Sequence, residues 1–238
     1  MPTHKNNDYK YIDMDFIKIT VYFSLLVQII TGIFDYYIIK LNIPSNLLIV
    51  QEVLIMELIV QVIECIFYVW LALNITSVSN ITTHRYYDWF LTTPTMLISL
   101  CVYLVYLNNE ERNIETKDSI FKIIYDNMNV LISILILNFL MLTSGFLTEI
   151  QKISEVSGVL IGFIPFFISF YLIYHYFARF SIIGTEIFFY FLIVWSMYGV
   201  AALMSYKNKN IMYNILDLFA KNFFGLYLGF VILNSLHP

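Results

Sequence analysis

Charged residues are scarce in this chain. Asp, Glu, Lys and Arg make up only 13% of its 238 residues, against about 25% in an ordinary soluble domain. Folded in water, such a chain would expose apolar surface that it has no polar residues to cover. That excludes a soluble globular domain. Glycine and proline are few, at 8 and 5 residues, so collagen-like and Pro/Gly-rich architectures are excluded too. The two cysteines, Cys65 and Cys101, stand singly inside apolar runs without metal-ligand spacing. They exclude a disulfide framework and a cysteine zinc site, and burial in lipid or core accounts for them. The net charge of −4 gives no footing for nucleic acid. Residues 1–14 lack the charged, apolar, small-residue order of a secretory signal, so the first apolar run is expected to insert by itself.

What is abundant is apolar sequence, 60% of the chain. A spanning helix needs about 20 mostly apolar residues. Seven stretches qualify, at 16–39, 46–73, 84–107, 123–147, 156–178, 186–206 and 211–235. They are too long, and too free of period-2 alternation, for membrane strands. Short connectors, such as 42–45, 108–118 and 206–210, hold most turn and charged residues. No linker or composition shift divides the chain. The expectation is one all-α domain, a seven-helix bundle in a lipid bilayer with its termini on opposite sides. The Lys/Arg rule does not orient it. With the N-terminus outside, Lys40, Arg112, Lys117, Lys122 and Arg179 lie inside, and Lys5, Lys10, Lys18, Lys152, Lys207 and Lys209 outside. The glycosylation sequons at Asn74 and Asn80 are short patterns that chance explains.

A charge at the centre of a span costs at least ~2.5–3.5 kcal/mol on insertion scales. Glu57, Glu64, Asp88, Asp217 and Lys221 are too deep to be loop residues. Asp217 precedes Lys221 by one helical turn, on the same face. An Asp–Lys ion pair would explain the two residues structurally. A buried amine is also the group that condenses with an aldehyde, and the resulting cationic imine demands a carboxylate. The third span supplies Asp88 within Arg85-Tyr86-Tyr87-Asp88-Trp89-Phe90-Leu91-Thr92-Thr93-Pro94. Arg85, Asp88, Thr92 and Ser99 fall near one helical face. Hydroxyls such as Thr92 and Thr93 would help offset the backbone donor that Pro94 removes.

These segments resemble microbial rhodopsins along the whole chain. RYYDWFLTTP is similar to the family's third helix, and LDLFAKNFFG (216–225) and VWSMYG (194–199) to its seventh and sixth. The resemblance implies all-trans retinal bound covalently to Lys221 as a Schiff base, with Asp88 and Asp217 as counterions. It implies a pocket of Trp89, Thr92, Thr93, Met96, Met141, Gly145, Trp195 and Tyr198. Packing alone could explain each aromatic singly. The resemblance also implies no enzyme activity, a homo-oligomer, and an N-terminus outside with a C-terminus in the cytoplasm.

Fold does not fix function here. An outward proton pump of this family needs an acceptor, a donor and a release group. Asp88 can accept, but the donor position is Ser99, and the connector SYKNKNIMYN has no acid. The second span points elsewhere. Glu57, Gln61, Glu64 and Tyr68 make one stripe, matched in the first span by Thr20, Ser24, Gln28, Thr31 and Asp35. Asn222 follows the lysine. Interhelical hydrogen bonds worth ~0.6 kcal/mol each would explain Ser24 or Gln61, less well two glutamates on one stripe. Acid-lined paths make cation channels. Acid-rich second helices also resemble channelrhodopsins, and the compact chain resembles rhodopsins of giant algal viruses. That likeness implies a light-gated channel for protons, Na⁺ or K⁺. Its gate would be Ser24, Glu64 and Asn222, with Glu57 and Gln61 along the path, Arg85 on the outer side, and Thr93 with Asn138 as a gating pair. A proton pump and a sensor without transport stay open.

Overall fold

The computed structural model describes residues 4–78, 80–114 and 118–236, with side chains from residue 15 onward. Lys117, counted above, lies outside the described residues. For Lys5 and Lys10 only helical backbone is described.

The described residues are nearly all helical and hold no strand. Seven helices are long and apolar enough to cross a membrane. They are α1 (Asp15–Ile39), α2 (Ser45–Asn74), α3 (Ile81–Glu111), α4 (Met128–Glu149), α5 (Glu155–Ala178), α6 (Ile182–Ala202) and α7 (Tyr206–Leu236). The fold is the seven-helix bundle that the apolar runs predict. Each helix packs on its neighbour in sequence, and α7 returns to α1, so the ring closes; α3 sits deepest, packed also against α5 and α6.

The bundle is inside-out relative to a soluble protein. On α1, Ile30 and Ile33 are 59% and 66% exposed, while Gln28, Thr31 and Asp35 are at most 3% exposed. Lipid takes the apolar face, and the polar stripe must find partners within the protein.

The third span runs longer at both ends than the sequence reading, and the fourth, sixth and seventh begin at other residues for local reasons. The fourth span does not start at 123. A short helix, Ile120–Asp126, ends at Asn127, whose side-chain amide donates to the Ile123 carbonyl (2.8 Å), and α4 begins after it. The sixth span begins earlier and ends earlier, at Ile182 and Ala202, because the Ser181 hydroxyl accepts from Gly184 N–H and caps it. Residues 206–210 are not a connector but the first turn and more of α7. Lys209 is tolerated there because Glu149 (3.0 Å) and Glu155 (3.5 Å) meet its charge.

Two segments wind as π turns, Tyr174–Ala178 in α5 and Leu218–Asn222 in α7. Such turns shift the register of a helix and often mark functional positions; the second contains Lys221. Around Pro94 the hydroxyls of Thr92 and Thr93 cap the carbonyls of Asp88 (3.0 Å) and Trp89 (2.8 Å). They do not serve Phe90, whose carbonyl is the one that Pro94 leaves without its N–H. Cys101 is buried and Cys65 half-buried, both free.

The close approach of α7 to α1 and α2 depends on Gly225. A Cβ there would collide with the Asp35 carboxylate and the Gln61 amide. Gly225→Val should therefore destabilise the bundle by about 1–3 kcal/mol through overpacking, read as a lower thermal midpoint in detergent. An unchanged midpoint would mean that α7 does not sit this close.

Candidate functional site

The centre of the bundle is an amine among carboxylates. Lys221 Nζ lies 3.0 Å from Asp88, 3.3 Å from Glu64 and 3.5 Å from Asp217. All four residues are at most 4% exposed. Asp88 comes from α3, Glu64 from α2, and Asp217 from one turn earlier in α7. Taking such charges out of lipid and water alike is tolerable only when they are paired and hydrogen-bonded.

Asp217 is the best-held of the three. Tyr68 and Tyr198 donate to its two oxygens at 2.8 Å each, and Arg85 pairs with it at 3.3 Å. Arg85 is itself fully buried. Its guanidinium donates to Asn214, Asn210 and Tyr68, so α2, α3 and α7 share one network. Asn214 also donates to Thr20, and its backbone carbonyl accepts from Ser24, which joins α1 to the same network.

Beyond the lysine, toward the C-terminal end of α7, a second network lies. Asn222 donates to Thr31 (2.9 Å) and Gln61 (3.3 Å), and Gln61 donates to Asp35. Glu57 accepts from Ser99. The polar stripes of α1, α2 and α7 thus form one column with Lys221 near its middle.

On the other side of Lys221 lies an apolar cavity of about 120 Å³. Trp89, Thr93 and Met96 of α3 line it, with Met141 and Gly145 of α4 and Trp195 and Tyr198 of α6. Trp89 meets Tyr198 edge-on at 5.5 Å and Tyr213 at 5.1 Å. Gly145 leaves room for the Tyr86 ring, which a Cβ would strike. Asn138 donates to Thr93 at 2.8 Å, joining α4 to the cavity wall.

Of the sequence-derived candidates, Lys221, Asp88, Asp217, Glu64 and Arg85 come together around the amine, and seven pocket candidates line the cavity. Thr92 does not line it; its hydroxyl is turned to its own helix. Ser24, Glu64 and Asn222 do not hydrogen-bond one another: Ser24 joins the Arg85 side, Glu64 the amine, and Asn222 the far side. Sequence reasoning missed Asn210 and Asn214 as members, and Tyr86, Phe163 and Phe166 as cavity wall. The asparagines at 210 and 214 share a helical face with Asp217, which is the signal that could have found them. Nothing in the sequence singles out the two phenylalanines.

Residues 15–235 match the family of bacteriorhodopsin-like proteins, and the chain belongs to that family. It has the microbial rhodopsin fold, in a family of retinal-binding membrane proteins that are generally ion transporters or photoreceptors. Among solved structures, the chain is similar to viral rhodopsin OLPVRII, at 25% identity and a TM-score of 0.74, over 90% of this chain and 95% of that one. It is similar in fold to a blue light-absorbing proteorhodopsin from Med12, at 18% identity and 0.70 over 93% and 98%. Xanthorhodopsin, described as a light-driven ion pump with a dual chromophore, matches at 16% identity and 0.67 over 92% and 93%. No curated protein matches in sequence.

Arg85 links three helices, α2, α3 and α7, through buried bonds. Arg85→Gln should cost about 3–5 kcal/mol, since breaking a buried pair leaves Asp217 to share the Lys221 charge with two other carboxylates. Thermal unfolding in detergent measures it; a loss under ~1 kcal/mol would mean that the pair is solvated.

Proposed function

We propose that this protein is a retinal photoreceptor acting as a light-gated cation channel. The column of buried polar groups along α1, α2 and α7, passing Lys221, is the observation that carries the reading.

The residues present fit retinal. One amine stands at the edge of a cavity walled by two indoles and three tyrosines, with three carboxylates ready to balance a fixed cation. Lys221 would hold the chromophore as a Schiff base, Trp89 and Trp195 would sandwich it, and Asp88 and Asp217 would act as counterions. Retinal supplies light-driven isomerisation, starting from the all-trans form in the dark. The chain's own part follows from contact. Asp88 is placed to take a proton from the nitrogen, at 3.0 Å. Tyr68, Tyr198 and Arg85 hold Asp217 in place. Glu64 touches the same nitrogen and continues into the second helix's polar stripe, so a change at the amine reaches the column directly.

The column supplies what a cation path needs: carboxylates, amides and hydroxyls that replace part of a hydration shell. Glu57 and Glu64 each keep one buried oxygen without a hydrogen-bond partner. Arg85 would close the outer side, and Asn222 and Gln61 would narrow the path on the inner side. Thr93 and Asn138 would couple α3 to α4 during gating. The orientation is N-terminus outside and C-terminus in the cytoplasm, and the assembly in the bilayer is a homo-oligomer.

One observation favours a second reading, an outward proton pump. Ser99 cannot hold a donor proton, but its hydroxyl bonds to Glu57, so α2 brings a carboxyl to the place where the donor is expected.

Voltage clamp under light separates the readings. A photocurrent that reverses with the cation gradient is expected; an outward current that persists without a gradient would replace the channel by the pump. Glu64→Gln and Asn222→Ala should change conductance or selectivity severalfold while the pigment forms, and the path is misplaced if both leave the current untouched. Lys221→Ala should yield a colourless protein when all-trans retinal is added. A full visible band in that variant would end the assignment of the lysine.

A further inference from the structure

The inner part of the polar column holds more acceptor oxygens than the protein has donors for. Gln28, Thr31 and Asp35 stand on one face of α1, each at most 3% exposed. Gln61 of α2 bonds to Thr31 and Asp35, and Asn222 of α7 to Thr31 and Gln61, with Gln28 one turn before Thr31 on the same face. Ten buried side-chain atoms among the described residues lack a hydrogen-bond partner, and four belong here: both amide atoms of Gln28, Asp35 Oδ1 and Asn222 Oδ1. Buried polar atoms are met by protein groups, ordered water or a bound ion, so these four look to something other than the side chains around them. Gln28 makes no side-chain bond at all although it is 2% exposed.

Charge is unbalanced in the same place. Among the described residues no basic side chain lies within ion-pair distance of Asp35. Lys221 is taken by Glu64, Asp88 and Asp217, and Arg85 by Asp217. A carboxylate in a membrane interior needs a counter-charge or a water-filled surround.

We propose that Asp35, Gln28, Thr31, Gln61 and Asn222 form a binding station for one largely dehydrated alkali cation in the inner half of the bundle. The spare oxygens are of two chemical kinds, the Asp35 carboxylate and the Gln28 and Asn222 carboxamides, both suited to a hard cation. One carboxylate balances one positive charge. Calcium sites gather six to eight oxygens, usually with several carboxylates, so the station suits Na⁺ or K⁺ rather than a divalent ion. Gly225 lets α7 come close enough for Asp35 and Gln61 to remain paired beside it. The role of the station as a stop along a conduction path rests on the channel reading above; its existence as an equilibrium binding site does not.

Retinal-reconstituted protein in detergent is titrated with NaCl or KCl against N-methyl-D-glucamine chloride at constant ionic strength, and the thermal midpoint of the visible band is followed. Wild type should gain stability saturably with the alkali cation, because a ligand that binds only the folded state raises its midpoint. Asp35→Asn keeps the shape and loses the charge; the half-saturating concentration should rise at least tenfold. Gln28→Leu breaks no hydrogen bond, so it should fold, and should weaken the dependence severalfold. The proposal fails if wild type shows no saturable dependence, or if both variants keep the wild-type one. Asp35→Asn failing to fold leaves Gln28→Leu to decide. Reversal potentials, taken in parallel, keep the two ideas apart. A cation-driven current whose Na⁺/H⁺ permeability ratio ignores both variants, with no saturable stabilisation, removes the station and leaves the channel. Saturable stabilisation lost in the variants, with no current in wild type, keeps the station and removes the channel.

Discussion

Everything in this bundle is arranged around one buried amine. Lys221 brings a positive charge to a place where neither lipid nor water can solvate it, and three carboxylates and an arginine follow from that. With Glu64, Asp88 and Asp217 all within 3.5 Å of the nitrogen, the local charge balance turns on small movements of a single atom. Arg85 and two tyrosines fix one of the three acids in position. The other two are less restrained: Asp88 and Glu64 each keep an oxygen without a partner. The asymmetry assigns roles. The well-held acid is scaffold, and the loosely held ones are free to respond.

The sequence was most legible where covalent spacing dictates geometry. Asp217 and Lys221 share a helical face whatever the rest of the chain does, and Arg85, Asp88 and Ser99 recur on one face of α3. The polar stripes of α1 and α2 were readable for the same reason, since an apolar helix with one polar face must turn that face inward. Spacing could not say where along the column each residue would stop. The resemblance groups Glu64 and Asn222 in one gate, yet with a π turn at 218–222 one meets the amine and the other Thr31 and Gln61. Nor could spacing reveal that Ser24 spends its hydroxyl on the Asn214 backbone, 190 residues away.

Hydrophilic composition misled at the start of α7. Residues 206–210 look like a loop because they carry two lysines and two asparagines. They are helix because tertiary partners absorb that polarity: Glu149 and Glu155 pair with Lys209, while Thr82 and Arg85 bond to Asn210. The acids absent from the connector itself are therefore supplied to the same end of the bundle by α4 and α5. Absence of an acid from one segment of sequence is weak evidence about the site that the segment joins, and the Glu57–Ser99 contact on α3 makes the same point from the other end.

The two halves of the ring are chemically different, and the lysine stands on the seam. Helices α3 to α6 surround an apolar cavity suited to a polyene, and α1, α2 and α7 carry the polar column. A chromophore attached to Lys221 would lie in the first half, while the nitrogen it is attached to faces the second. Motion in the apolar half has only one short route into the polar half, through that nitrogen and the carboxylates touching it. Of those, Glu64 alone belongs to the stripe on α2 that also carries Gln61 and Glu57. On the proposed channel reading, it is the side chain through which a light-driven change at the amine would be felt by an ion in the column, and its place on α2 rather than α3 is what distinguishes this arrangement from one in which the proton simply moves between Lys221 and Asp88.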